Sequence, residues 1–72
     1  MAKAIINKGQ ISIEESTLGI HTRLMIYEEF SQRLNISSDE KHIHITAENS
    51  DEYYDLFDVI HRITYFEKLE LQ

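Results

Sequence analysis

The stretch Leu18-Gly19-Ile20-His21-Thr22-Arg23-Leu24 sets a histidine and an arginine two residues apart, just after a glycine. The helical periodicity that follows puts this stretch at the start of a helix. A first helical turn carries backbone N–H groups without intrahelical acceptors, together with the positive end of the helix dipole. Such a terminus binds anions. A histidine there can accept a phosphoryl group, and an arginine beside it can pair with the added charge. The candidate site is therefore His21 as phosphoacceptor and Arg23 as phosphoryl stabiliser, with Gly19, Thr22 and Leu24 as the anion-binding surround. The plainer alternative is a polar histidine near a helix start, which on spacing alone is the commoner case.

Other residues with chemical potential are read more plainly. His42 and His44 fall on one face of a strand, a spacing that two metal ligands can use, with His61 or a carboxylate as a third. Exposed strand histidines far outnumber zinc sites, so no metal and no cofactor is assigned. Glu14, Glu15, Asp51, Glu52, Asp55 and Asp58 read as a solvated face rather than a hydrolytic carboxylate pair. Tyr53, Tyr54, Phe57, Tyr65 and Phe66 read as core and rim, with Tyr54 and Phe66 marking an interface if they face solvent. No nucleophile–base pair or phosphate loop is readable, so a self-contained enzyme is not expected.

The bulk properties narrow the field. The chain has 72 residues, enough for one domain spanning 1–72, and no cysteine to build a disulfide or a thiolate metal site. Seven Lys and Arg against thirteen Asp and Glu leave a formal charge of −6, which repels nucleic acid and anionic membranes. An acidic surface suits a basic protein partner. The longest uncharged apolar run, Leu24 to Tyr27, is too short to cross a membrane. The opening residues turn polar at Asn7 without forming a secretory signal, so a cytoplasmic protein is expected.

Residues 2–7 and 10–15 read as two strands joined at Asn7-Lys8-Gly9, with Ile11 and Ile13 inward and Gln10, Ser12 and Glu14 outward. From Thr22 to about Leu34 the period is helical, with Tyr27, Phe30 and Leu34 on one face, Leu24 and Ile26 close to it, and Thr17 or Thr22 as cap. Ile36 to Lys41 reads as a polar loop. His42 to Ala47 alternates strictly, pointing Ile43 and Ile45 one way and His42, His44 and Thr46 the other. Asn49 or Ser50 then caps a second helix with Tyr53, Leu56, Phe57, Ile60 and Ile63 on its packed face. After Thr64 a short strand and a continued helix both fit. The order predicts an α/β (α+β) open-faced sandwich, ββαβα(β), its antiparallel or mixed sheet covered on one face by two helices.

Gly19-Ile20-His21-Thr22-Arg23 resembles the active-site signature of the HPr phosphocarrier family, in which glycine, an aliphatic residue, histidine, a small residue and arginine occur in that order. A second stretch, His42 to Glu48 followed by Asn49-Ser50-Asp51-Glu52 and a helix, is similar to the family's last strand, acidic turn and C-terminal helix. The resemblance covers about residues 10–34 and 42–63. Leu24 stands where the family usually has proline, and the family's middle segment shrinks to roughly the Asn35–Lys41 loop, so neither Ser37 nor Ser38 matches its regulatory serine. The resemblance implies that His21 takes a phosphoryl group from an enzyme I-like partner and that Arg23 steadies it. Two functions follow from the combined reading: an HPr-like phosphoacceptor or regulator, or an acidic protein-interaction module, inhibitor or adaptor, that keeps the fold without phosphotransfer. A protein partner is expected in both, and a homodimer is compatible with either.

Overall fold

The computed structural model describes all 72 residues. Strands β1 (Ala2–Asn7), β2 (Gln10–Glu14), β3 (Asn35–Ser38), β4 (His42–Thr46) and β5 (Leu69–Leu71) form one mixed sheet in the order β3-β4-β2-β1-β5. All pairings are antiparallel except β1 with β5. Helices α1 (Ile20–Phe30) and α2 (Ser50–Phe66) supply the helical residues of the core, so the fold is the expected open-faced α+β sandwich.

The central strands β2 and β4 form where the sequence alternates. The turn between β1 and β2 is two residues long, Lys8 at φ 50° and Gly9 at φ 78°, and two positive φ values match the twist of the flanking strands. Glycine at position 9 also leaves room for Tyr53, since a Cβ there would lie 2.8 Å from the tyrosine hydroxyl oxygen. In the β2–β4 ladder Ile11 faces Ile45 and Ile13 faces Ile43. All four are essentially inaccessible to solvent and form the floor of the core with Ala2 and Ala4. Ile26 and Phe30 of α1, with Leu56, Val59 and Ile63 of α2, close it from above.

Several expectations are corrected. The segment read as a polar loop contains β3, whose only apolar residue is Ile36. So short a strand carries almost no periodic signal and owes its form to backbone pairing with β4. Helix α1 begins and ends earlier than its period suggests, at Ile20 and Phe30. The chain must then turn back toward β3, and it does so with Leu34 buried and its N–H donating to the Phe30 carbonyl. The buried face of α1 is Thr22, Ile26 and Phe30. Leu24 lies two positions from both Thr22 and Ile26, on the opposite side, and is exposed. In α2 the packed face runs through Val59, not Phe57, and Tyr53 and Phe57 are exposed. After Thr64 both alternatives are realised in part: α2 continues to Phe66 and β5 follows from Leu69.

The second helix starts as its sequence implies. Asn49 is the N-cap, accepting the Glu52 N–H at 3.0 Å, and the Glu52 carboxylate reaches back to the Asn49 side chain and the Glu48 N–H. Ion pairs then tie α2 to α1 and to the turn after it: Arg62 to Glu29 at 3.0 Å, and Arg33 of that turn to Asp55 at 3.0 Å. Both are half-exposed, and such pairs contribute roughly 0.2–1 kcal/mol each. Burial therefore dominates. Phe30→Ala should cost about 3–5 kcal/mol, against a total of about 5 kcal/mol for a small domain. Urea denaturation followed by circular dichroism should find this variant with about 2 kcal/mol of stability or less and a midpoint shifted close to zero urea.

Candidate functional site

Helix α1 begins where Leu18 buries and Gly19 takes extended backbone angles, φ −67° and ψ 151°. The Gly19 carbonyl accepts the first intrahelical bond, from Arg23 N–H at 2.9 Å. Neither Thr17 nor Thr22 caps the helix. Thr17 is engaged elsewhere, donating to the Glu14 carbonyl and accepting from the Lys3 N–H, and Thr22 faces the core. The N–H groups of Ile20, His21 and Thr22 therefore have no intrahelical acceptor, and His21 is exposed in the middle of this first turn. Leu24 lies beyond that free set, its side chain on the surface beside Ile20.

An anion already sits at this terminus. The Glu67 carboxylate, from the residue after α2, accepts the Gly19 N–H at 3.0 Å. A Cβ on residue 19 would approach the same carboxylate oxygen to 3.0 Å, so glycine permits the contact. Arg23 goes another way. Its guanidinium pairs with Glu15 at 3.1 Å, and its Nε is buried without an acceptor. It borders a hollow of about 650 Å³ shared with Glu14, Glu15, Ser16, Glu40, Lys41 and His42. Residues two apart on a helix do not face each other, so His21 and Arg23 share a turn but point to different neighbourhoods.

The open face of the sheet holds an arrangement the sequence reading did not assemble. The β2–β4 register sets Ser12 opposite His44. The Ser12 Oγ lies 2.8 Å from His44 Nδ1, and His44 Nε2 lies 2.8 Å from an Asp39 carboxylate oxygen. The other Asp39 oxygen accepts the N–H groups of Lys41 and His42, each at 2.8 Å. The hydrogen bond from His44, then those two N–H donors, hold the Asp39 carboxyl well below its ordinary range. Asp39 is ionised and can only accept, so whenever the His44 ring is neutral its proton sits on Nε2 and Nδ1 accepts from the Ser12 hydroxyl. His42 stacks on His44 with ring centroids 5.9 Å apart. No group of three metal-ligating side chains converges here or elsewhere.

The outer side of α2 is aromatic. Tyr54, Phe57 and Tyr65 are each more than two-thirds exposed, Phe66 is half-exposed, and the Tyr65 and Phe66 rings meet edge to face at 5.2 Å. Tyr54 and Phe66 thus face solvent as interface candidates should. No helix is long and apolar enough to cross a membrane. No protein-family model, no curated protein and no solved structure matches the chain.

The Asp39 geometry makes stability depend on pH in one direction. A carboxyl with a lowered folded-state pKa contributes stability in full above its ordinary value of 3.8 and loses it as the pH falls below. Asp39→Asn should therefore be less stable than the wild type at neutral pH. Urea midpoints measured down the acid range should begin to converge as the pH passes below that value and meet only as it approaches the much lower folded-state pKa.

Proposed function

We propose that this protein is a small HPr-like phosphoacceptor or phosphoryl-binding regulator acting through His21, with a protein partner as donor. The observation that carries the reading is the exposed imidazole on the first turn of α1, amid N–H groups that lack intrahelical acceptors. In the transfer, a ring nitrogen lone pair of neutral His21 attacks phosphorus. A P–N bond forms as the donor's bond to phosphorus breaks, and the proton on the other ring nitrogen stabilises or leaves the product. The new charge sits at the positive end of the helix, worth about 0.3–1 kcal/mol at an exposed terminus. Ile20 and Leu24 are exposed beside His21. The Gly19–Glu67 bond brings the end of α2, with exposed Tyr65 and Phe66, to the same end of the helical layer. That mixed apolar surface suits docking of a partner protein. Arg23, paired with Glu15 and turned away from His21, reaches the phosphoryl oxygens only by leaving that pair, and Glu67 competes for the site. The same reading takes the protein to be cytoplasmic and the partner enzyme I-like.

A second reading, an acidic interaction module without phosphotransfer, is favoured by the pairing of Arg23 with Glu15 and of Glu67 with the helix start. One experiment separates the two. The protein is mixed with phosphoenolpyruvate and a general enzyme I and followed by phosphorus and proton NMR. The phosphoacceptor reading expects a phosphohistidine signal that His21→Ala abolishes and Glu67→Gln strengthens several-fold. A folded protein that gives no such signal overturns the phosphoacceptor reading and leaves the interaction module as the one to test by affinity capture.

A further inference from the structure

We propose that Ser12 is an activated nucleophile, with His44 as its general base and Asp39 as the group that positions His44, and that it is acylated by small activated esters. The three side chains form a continuous relay, Ser12 Oγ to His44 Nδ1 at 2.8 Å and His44 Nε2 to Asp39 at 2.8 Å. Those distances lie within the reach that base-assisted attack requires, and the base is oriented by a third group. The serine has one hydroxyl proton and two neighbouring acceptors, His44 Nδ1 at 2.8 Å and the Gln10 side-chain oxygen at 3.3 Å. With the ring proton on Nε2, the hydroxyl can donate to His44 Nδ1 at 2.8 Å in place of the Gln10 side-chain oxygen, which aims it at the base.

The surroundings decide what can react. Ser12 lies on the uncovered face of the sheet, so an ester reaches it from solvent. Its neighbour across β1 is Ile5, half-exposed, which offers an apolar rest for an aryl or short acyl group. The Gln10 carboxamide lies beside the hydroxyl but donates to Thr46 Oγ1 at 2.9 Å. It must rotate before its N–H faces a developing oxyanion. With that donor not preset, acylation is slow and turnover slower, because preorganised donors supply most of the stabilisation in such reactions.

The step balances without any further reagent. The Ser12 Oγ–H proton passes to His44 Nδ1 as Oγ bonds to the ester carbonyl carbon. The carbon–oxygen bond to the leaving group then breaks, and the proton returns from His44 to the departing alkoxide or phenoxide. Water, deprotonated by the same imidazole, later releases the acid and restores the hydroxyl.

The test uses p-nitrophenyl acetate and the full chain, with acetylation located by mass spectrometry of peptides, since lysines, tyrosines and His21 also react. Ser12 should be acetylated in the wild type. His44→Gln should slow this about 100-fold while leaving acetylation at the lysines unchanged. Nitrogen NMR of the His44 ring should find the proton on Nε2, and Asp39→Asn should shift that tautomer balance. Circular dichroism checks that each variant is folded, which the positions of Ser12 and His44 outside the buried core favour. A folded wild type with no acetyl group on Ser12, or equal Ser12 labelling in His44→Gln, overturns the proposal. Neither result bears on His21, which is read separately by phosphoryl transfer.

Discussion

The pairing of β2 with β4 is the constraint on which the remaining structure depends. Those strands are central in the sheet, and five residue pairs from Gln10–Thr46 to Glu14–His42 hold them in register. Because side chains alternate, one register serves two purposes at once. It stacks Ile11 on Ile45 and Ile13 on Ile43 beneath the helices, and it lays Ser12 against His44 on the open side. A slip of one residue would send the isoleucines into water and the serine and histidine into the core. Burial of four isoleucines, at about 25 cal/mol per Å² of apolar surface, thus enforces the geometry of a polar cluster to which they contribute no atom.

Charge is organised within the same frame. The chain carries many more acidic than basic residues, and the arginines are correspondingly spoken for. Arg62 bridges the two helices, Arg33 ties the turn after α1 to α2, and Arg23 ties the start of α1 to Glu15. The carboxylates are used as ligands for backbone N–H groups as much as for cations. Asp39 holds the turn into β4, Glu52 completes the cap of α2, and Glu67 fills part of the start of α1. Where the chain folds back on itself, an acidic side chain satisfies the donors exposed there. The open end of α1 is therefore a place where an internal carboxylate and an external anion compete for the same dipole.

Much of this was readable in advance, and the failures have identifiable causes. Both hairpin strands, β4, the two-helix layer and a cap at Asn49 or Ser50 follow from periodicity, a glycine at a positive-φ turn and polar residues before a helical run; the structure uses Asn49. Ile36 alone could not announce β3. Leu24, Tyr53 and Phe57 are apolar residues on the surface, and periodicity counts them as core because it registers hydrophobicity and not its partner. The start of α1 was legible to within two residues, though neither Thr17 nor Thr22 caps it; the Glu67 contact joins residues 48 apart in the chain, and no local pattern foretells it.

The relay of Ser12, His44 and Asp39 marks the boundary most clearly. Alternation by itself determined that Ser12 and His44 each turn away from the core, since the isoleucines beside them are driven inward. That the two side chains meet was decided by strand order and register, which arise from the whole sheet packing under two helices. The physical reason is range. Propensity, capping and hydrophobic period act over a few residues and are written in the local sequence. The contact of a hydroxyl with an imidazole 32 residues away exists only once the collapsed core has chosen which strands are neighbours.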